Sequence, residues 1–273
     1  MRLASRRRGH LAAALALWVA GAIAGCMRAR VAATPEFARQ PFAPFSRTAV
    51  VEIALREWRL FGERYDDRSR CPPEHAPKID PPERRDGLWQ RVAEYRWLGL
   101  DATHPRRAGT GKHDARGRVY AAESDDAYAW SAAFVSYVMR IAGAGDRFPY
   151  DDAHATYINE AGRAARGEVP PRAVVAQRPD AYAPALGDLV CTGRERAEGL
   201  RFDDLPAGKF PSHCGIVVGL LPDAVLVIGG NVADAVTMTR VPTTADHRLV
   251  AANGTVVDAC TPWFVVLAVQ YDA

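Results

Sequence analysis

The stretch that decides the fold is residues 127–145, AYAWSAAFVSYVMRIAGAG. Its large side chains recur at the i, i+4, i+7 and i+11 positions of a helix, and they are Trp130, Phe134, Tyr137 and Ile141. Small and apolar residues fill most of the other faces, and a helix that is apolar nearly all round belongs inside a domain. Asp125 or Asp126 can cap its start and Gly143 can end it. The stretch therefore predicts one central buried helix.

Ser131 is the polar residue near the start of this helix. In that place a short hydroxyl side chain is either a small buried filler or a reactive group that the fold presents. A helix N-terminus offers free backbone N–H groups and the positive end of the helix dipole, and both favour a developing oxyanion. Both interpretations of Ser131 stay open at this point.

Outward from the helix, the chain changes character. We expect two helices before it, at residues 48–63 and 88–98, and one after it within 148–164, with Val51, Ala54, Trp58 and Phe61 on the inward stripe of the first. A polar loop at residues 101–118 precedes the central helix. Its histidines, His104 and His113, are expected to face solvent. Residues 170–184 are expected to form a proline-bearing connection. Short β-type runs follow at residues 187–191, 214–221, 224–228, 234–240 and 264–271. Helices followed by an antiparallel strand set predict a single α+β domain, with the central helix packed on the sheet.

The N-terminus has the features of a targeting segment. Residues 1–25 carry four arginines near the start, then an apolar run, and they end Ile-Ala-Gly before Cys26, which resembles a bacterial lipobox. An uncleaved anchor or an ordinary signal peptide is the alternative, although the apolar run is short for a spanning helix. We expect a lipoprotein signal peptide at 1–25, lipidated Cys26 with a flexible tether at 26–47, and the domain at 48–273. Bacterial lipoproteins with Asp directly after the lipidated cysteine are retained in the inner membrane. Met27 occupies that position here, so an outer-membrane anchor facing the periplasm is expected.

Charge and motifs exclude several function classes. The whole chain has a net charge of +3, and loss of the four arginines in residues 1–25 changes it to −1, so a nucleic-acid partner has no electrostatic basis. The sequence contains neither a phosphate-binding glycine loop nor a GxSxG elbow. Asp151, Asp152 and His154 are potential metal ligands, but nothing supplies the rest of a site at recognisable spacing. Neither a metal nor another cofactor is expected.

Four cysteines remain after Cys26, and an oxidising compartment favours disulfides between them. Three pairings can be drawn from four cysteines. Cys191 and Cys214 lie in short apolar runs that have the pattern of neighbouring strands, so this pair is favoured.

Three polar residues form the candidate catalytic site. Ser131 opens the central helix, His213 opens the strand HCGIVVGLL, and Asn231 ends the next strand, VLVIGGN. A nucleophile at a helix start, a base on a strand and an orienting amide are typical of acyl transfer. His154, Tyr128 and Trp130 are further candidates for substrate contacts, with ordinary structural roles as the alternative.

Four segments now resemble a known superfamily: WSAAFV at 130–135, GDLV at 187–190, HCGIV at 213–217 and GN at 230–231. Their order resembles the CHAP branch of papain-like cell-wall amidases and endopeptidases, with its WCxxFV helix, GD-led strand, GHVGIV strand and later Asn or Glu. Over roughly residues 49–273, the chain is more similar still to a bacterial group, the domain of unknown function 2272, through WSAAFVSYVMRIAGAG, His154-x-x-Tyr157-Ile158, GDLVC and IGGNV.

The resemblance implies a papain-like fold and an amidase or peptidase acting on peptidoglycan peptides. Ser131 stands at the position of the superfamily's nucleophilic cysteine, and a hydroxyl needs a base during attack, whereas a thiolate does not. Two hypotheses follow: a Ser-His-Asn hydrolase, or a non-catalytic protein that binds cell-wall peptide or a periplasmic protein in the same groove.

Overall fold

Seven strands form one sheet in the computed structural model, which describes residues 44–71, 81–107, 113, 116, 118–121 and 128–272. The sheet order is β1-β6-β5-β4-β3-β7-β2. All neighbouring pairs are antiparallel except β1 with β6. The strands are β1 (Tyr65–Asp66), β2 (Val174–Gln177), β3 (Leu189–Gly193), β4 (Ser212–Leu221), β5 (Ala224–Val232), β6 (Ala235–Pro242) and β7 (Trp263–Val269).

Four α-helices are present in the described part of the chain: α1 (Arg47–Leu60), α2 (Leu88–Gly99), α3 (Ser131–Ile141) and α4 (His154–Ala165). The main hydrophobic core joins residues of all four helices to one face of the sheet, and a smaller core of mostly valine side chains covers the other face. The described residues belong to one compact unit, residues 43–273. The prediction of a single α+β domain with a central buried helix on a mainly antiparallel sheet is confirmed.

The central helix is shorter than its apolar pattern predicts, because it begins at Ser131 and not at residue 127. Trp130 is its N-cap residue and makes no side-chain capping bond, while Gly143 follows its end with φ of 94°. The helix lies close to the sheet at Gly230. A Cβ atom there would lie 2.6 Å from Cβ of Phe134, so this strand position requires glycine.

The buried face of α1 differs from its hydrophobic stripe. The pattern predicted Val51, Ala54, Trp58 and Phe61 inward, whereas Val50, Ala54, Glu57 and Phe61 are the buried set. Glu57 is fully buried, and its carboxylate accepts hydrogen bonds from Arg91 Nη2 and from the Tyr95 hydroxyl, each at 2.7 Å. These hydrogen bonds compensate the cost of burying the Glu57 charge, and loss of one partner costs about 3–5 kcal/mol of stability.

Other sequence expectations need correction. Strand β2 lies in a segment interpreted as a proline-bearing connection, and β1 was not predicted. His113 is buried and stacks on Trp89, with ring centroids 4.2 Å apart, and so does not face solvent as expected. His104 is half-buried, with its Nε2 3.4 Å from Asp152. The local sequence around these two histidines does not show which residues contact them in the fold.

Two disulfides cross-link the domain. Cys191 and Cys214, the favoured pair, are directly opposed on β3 and β4 and are joined to each other. A second disulfide joins Cys71 to Cys260 across 189 residues of sequence. The predicted signal peptide, Cys26 and most of the tether lie outside the described residues. Among the described helices, none has the length and apolarity needed to cross a membrane.

Candidate functional site

The side chain in contact with Ser131 belongs to His154. The Ser131 hydroxyl oxygen lies 2.6 Å from Nε2 of His154. Ser131 is the first residue of α3 and His154 is the first residue of α4, so the two helix N-termini place the two groups. Ser131 is half-buried and His154 is 4% exposed. A hydroxyl bonded to an imidazole nitrogen in this way has the geometry of an activated nucleophile.

The other ring nitrogen of His154 contacts Tyr157, one helical turn further along α4. Nδ1 of His154 and the Tyr157 hydroxyl are hydrogen-bonded. When Nε2 accepts a hydrogen bond from the serine hydroxyl, the neutral ring carries its proton on Nδ1 and donates a hydrogen bond to the tyrosine oxygen. Burial raises the pKa of Tyr157 well above its ordinary value, so this hydroxyl stays neutral. Tyr157 therefore fixes the ring orientation of His154.

His213 packs against His154 and is not hydrogen-bonded to Ser131. The two imidazole rings are 5.3 Å apart and inclined by 65°. Gly229 on the neighbouring strand leaves room for the ring, because a Cβ atom there would lie 2.8 Å from Nε2 of His213. In the described part of the chain, Nδ1 of His213 is buried without a hydrogen-bond partner. The sequence assigned the serine contact to His213, and the structure gives that contact to His154.

Both histidines are neutral at ordinary pH. Burial, followed by the positive charge of Arg194, lowers the pKa of His154 to about 3. Burial, then Arg194 and then His154, lowers the pKa of His213 well below its ordinary value. Desolvation penalises the charged imidazolium form, which explains both directions. His154 is therefore always available to accept a proton, although its basicity is weak.

The start of α3 leaves backbone donors beside the serine. The first backbone bond of the helix runs from the Phe134 N–H group to the Trp130 carbonyl, at 2.9 Å. The preceding N–H groups, of Ser131, Ala132 and Ala133, have no partner within the helix. Such groups, at the positive end of the helix dipole, suit a developing oxyanion.

The remaining site candidates have different surroundings. Asn231 is half-buried in the left-handed region, with φ of 55°, and no hydrogen bond links it to His213 in the part of the chain described. Trp130 is fully buried, and its indole N–H group donates to Glu83. Tyr128 stacks on Tyr120, with ring centroids 4.7 Å apart. The structure thus brings Ser131, His154 and His213 together, and it places Trp130 in the core, away from any surface that a substrate could reach.

A family model described as "Uncharacterized protein conserved in bacteria (DUF2272)" matches residues 83–269, which include Ser131, His154, Tyr157 and His213. The chain belongs to this family. Neither a curated protein nor a solved structure matches the chain.

The DUF2272 site contains a serine contact that the sequence analysis did not assign. A histidine and a tyrosine three residues apart at a helix start, His154 and Tyr157, lie on one helix face. That spacing was the available signal in the sequence, but His154 was interpreted only as a candidate substrate contact. Sequence order could not reveal that the N-termini of α3 and α4 meet.

Near this site, His104, Asp151 and Asp152 offer ligand atoms that lie within 4.8 Å of one another. His154 is not part of this cluster, because both of its nitrogens are engaged by Ser131 and Tyr157. Arg106 lies 3.5 Å from Asp152 and supplies positive charge to the cluster. Acidic groups often lie close together in this way at a protein surface, and we assign no role to this cluster.

Proposed function

We propose that this DUF2272 protein is a serine-dependent acyl hydrolase in which Ser131 is the nucleophile and His154 is the general base. The observation that carries the proposal is the 2.6 Å contact between Ser131 Oγ and His154 Nε2 at the N-terminus of a buried helix. A serine hydroxyl needs a base in hydrogen-bond contact to lose its proton during attack. Tyr157 takes the orienting role that the sequence analysis gave to Asn231.

The reaction follows from these positions. His154 accepts the Ser131 proton while Oγ attacks the carbonyl carbon of an amide, and backbone N–H groups at the start of α3 hold the oxyanion. The amide C–N bond then breaks as protonated His154 gives the proton to the departing amine. Water next attacks the acyl-enzyme with His154 again as base, which frees the carboxylic acid and restores the serine.

The weak basicity of His154 shapes the expected rate. The imidazolium forms in a buried place near the positive charge of Arg194 and at a helix N-terminus, where the dipole also disfavours it. No carboxylate contacts either nitrogen of His154 among the described residues, so the oxyanion itself is the main compensating charge. We therefore expect slower turnover than a site with a histidine–carboxylate pair would give.

The substrate class rests on the sequence resemblance. The superfamily pattern suggests a papain-like, CHAP-type domain that cleaves amide or peptide bonds of peptidoglycan, and the lipobox at Cys26 would hold the domain in the periplasm. The substrates on this proposal are cell-wall peptides, and neither a metal nor another cofactor takes part.

A second candidate function is a non-catalytic groove that binds cell-wall peptide or a periplasmic protein. The observation that favours it is the low pKa of His154, about 3, which makes the residue a poor base. Under this hypothesis the Ser131 contact is structural, and the protein neither turns over an amide nor becomes acylated.

The experiment is covalent labelling of Ser131 by a fluorophosphonate, together with turnover of muropeptides. Wild type is expected to label, whereas Ser131→Ala and His154→Ala lose nearly all labelling and turnover, non-additively. His213→Ala retains part of both, because it does not contact the serine. Ser212→Ala is the matched control, since its hydroxyl donates to the Phe210 carbonyl.

Ser131→Cys separates the two candidate functions further. A thiolate depends less on a strong base, so this variant gains activity if the groove holds a dormant thiol-hydrolase arrangement. The hydrolase proposal would be overturned if neither wild type nor Ser131→Cys turned over muropeptides. Muropeptide binding that Ser131→Ala leaves intact would then support the binding proposal.

A further inference from the structure

A cavity of about 420 Å³ is bordered by His213. We call it the arginine pocket, and we define it by Arg68, Arg194, His213, Cys260 and Trp263, which all line it. His213 is the shared element, because its ring borders the pocket and lies 5.3 Å from the ring of His154. A substrate group held in the pocket would thus lie next to the histidine pair.

Two arginines give the pocket its positive charge. Arg68 has a side chain only 13% exposed, and its Nε lies 3.3 Å from an Asp66 oxygen. Arg194 stands at the exposed rim, and in the described part of the chain no carboxylate lies within ion-pair distance of it. Glu195 and Glu198 also border the pocket at its exposed rim, and in the described part of the chain neither lies within ion-pair distance of Arg194 or Arg68.

The backbone around the pocket is held in unusual conformations. Arg68 and Glu195 are both in the left-handed region, with φ of 58° and 51°. Non-glycine residues persist there when the surroundings impose the conformation, and such residues cluster at ligand sites. The disulfide between Cys71 and Cys260 ties the segment that carries Arg68 to another residue that lines the pocket. The pocket is therefore preorganised.

We propose that the arginine pocket binds a carboxylate group of the substrate, with Arg194 and Arg68 as the cationic contacts. The guanidinium fork matches a carboxylate in shape and charge. The inference rests on the proposed function, since it assigns the pocket to the Ser131 substrate and specifies an acidic peptide.

The test measures binding without hydrolysis. Calorimetry on Ser131→Ala compares acetyl-tetraalanine bearing a free C-terminal carboxylate with the same peptide as its C-terminal amide. The acid is expected to bind about 10- to 100-fold more tightly, and added salt should reduce this preference. Arg194→Gln should remove most of the preference, Arg68→Gln should reduce it, and Arg194→Lys should keep part of it.

The matched control is Arg59→Gln, an exposed arginine on α1, which should leave the preference unchanged. Equal binding of acid and amide, no binding of either, or a preference that survives Arg194→Gln would overturn the proposal. Fluorophosphonate labelling of Ser131 reports separately on the hydrolase function. Labelling without a carboxylate preference defeats only the pocket proposal, and a carboxylate preference without labelling defeats only the catalytic one.

Discussion

The hydroxyl oxygen of Ser131 and Nε2 of His154 are 2.6 Å apart, and each residue is the first of its own helix. This relationship gives the site two properties at once. The start of α3 supplies free backbone N–H groups beside the serine, while the start of α4 places the imidazole where the helix dipole disfavours its charged form.

Tyr157 is expected to act as a positioning residue for His154. Tyr157→Phe removes the oxygen that accepts the Nδ1 proton and keeps the ring, so labelling of Ser131 by a fluorophosphonate should slow about tenfold, the value of one hydrogen bond. The pH dependence of labelling should shift as well, which a purely structural role would not cause. Tyr150→Phe is the matched control, because its hydroxyl donates to the Gly145 carbonyl. Equal slowing in both variants would contradict the positioning role.

Burial of neutral histidine predicts loss of stability in acid. The pKa of His154 is about 3 in the folded protein against 6.5 ordinarily, so between these values the unfolded chain binds more protons and stability falls as the pH falls. The loss attributable to His154 is of the order of several kcal/mol at full extent. Urea unfolding at pH 7.5 and pH 5 measures it, and His154→Gln should show a smaller difference. A wild-type free energy of unfolding that does not change with pH would count against a buried neutral ring.

Gly230 should tolerate no side chain. Gly230→Ala places a Cβ atom 2.6 Å from Cβ of Phe134 and 2.9 Å from the Trp130 ring, and overpacking of this kind costs about 1–3 kcal/mol. Urea unfolding is the measurement. Gly199→Ala is the control, because nothing lies within 4 Å of a Cβ atom there. Equal effects of the two changes would be inconsistent with the close approach of α3 to β5.

The two disulfides predict protected thiols. Cys71, Cys191, Cys214 and Cys260 should resist alkylation in denatured, unreduced protein and should all react after reduction. Mass spectrometry of the alkylated peptides reports each position. Free thiols at Cys191 and Cys214 in protein isolated from the envelope would refute the cross-strand disulfide.

The lipobox predicts membrane attachment through Cys26. Cys26→Ser should leave an unprocessed or soluble form where wild type is extracted with detergent, because acylation and cleavage both require the cysteine. Fractionation followed by detection of the domain is the measurement. Equal partition of both proteins into the membrane fraction would exclude this anchor.

Periodicity alone identified the central helix, the order of helices before strands and five of the seven described strands. These features follow from side-chain spacing, which is local. The start of α3 was predicted too early, and the inward face of α1 was predicted without Glu57. The second error has a physical origin, since a buried glutamate bonded to Arg91 and Tyr95 contradicts a pattern based on hydrophobicity.

Within the candidate site, the amino-acid sequence by itself determined that Ser131 opens a buried helix and that histidines and cysteines lie on the elements around it. Only the tertiary structure decided which histidine meets the serine. The sequence favoured His213 for this contact, and the contact with His154 depends on how α4 packs beside α3. His154 lies 23 residues from Ser131, and contact across such a separation is set by the shared core, which no local pattern encodes.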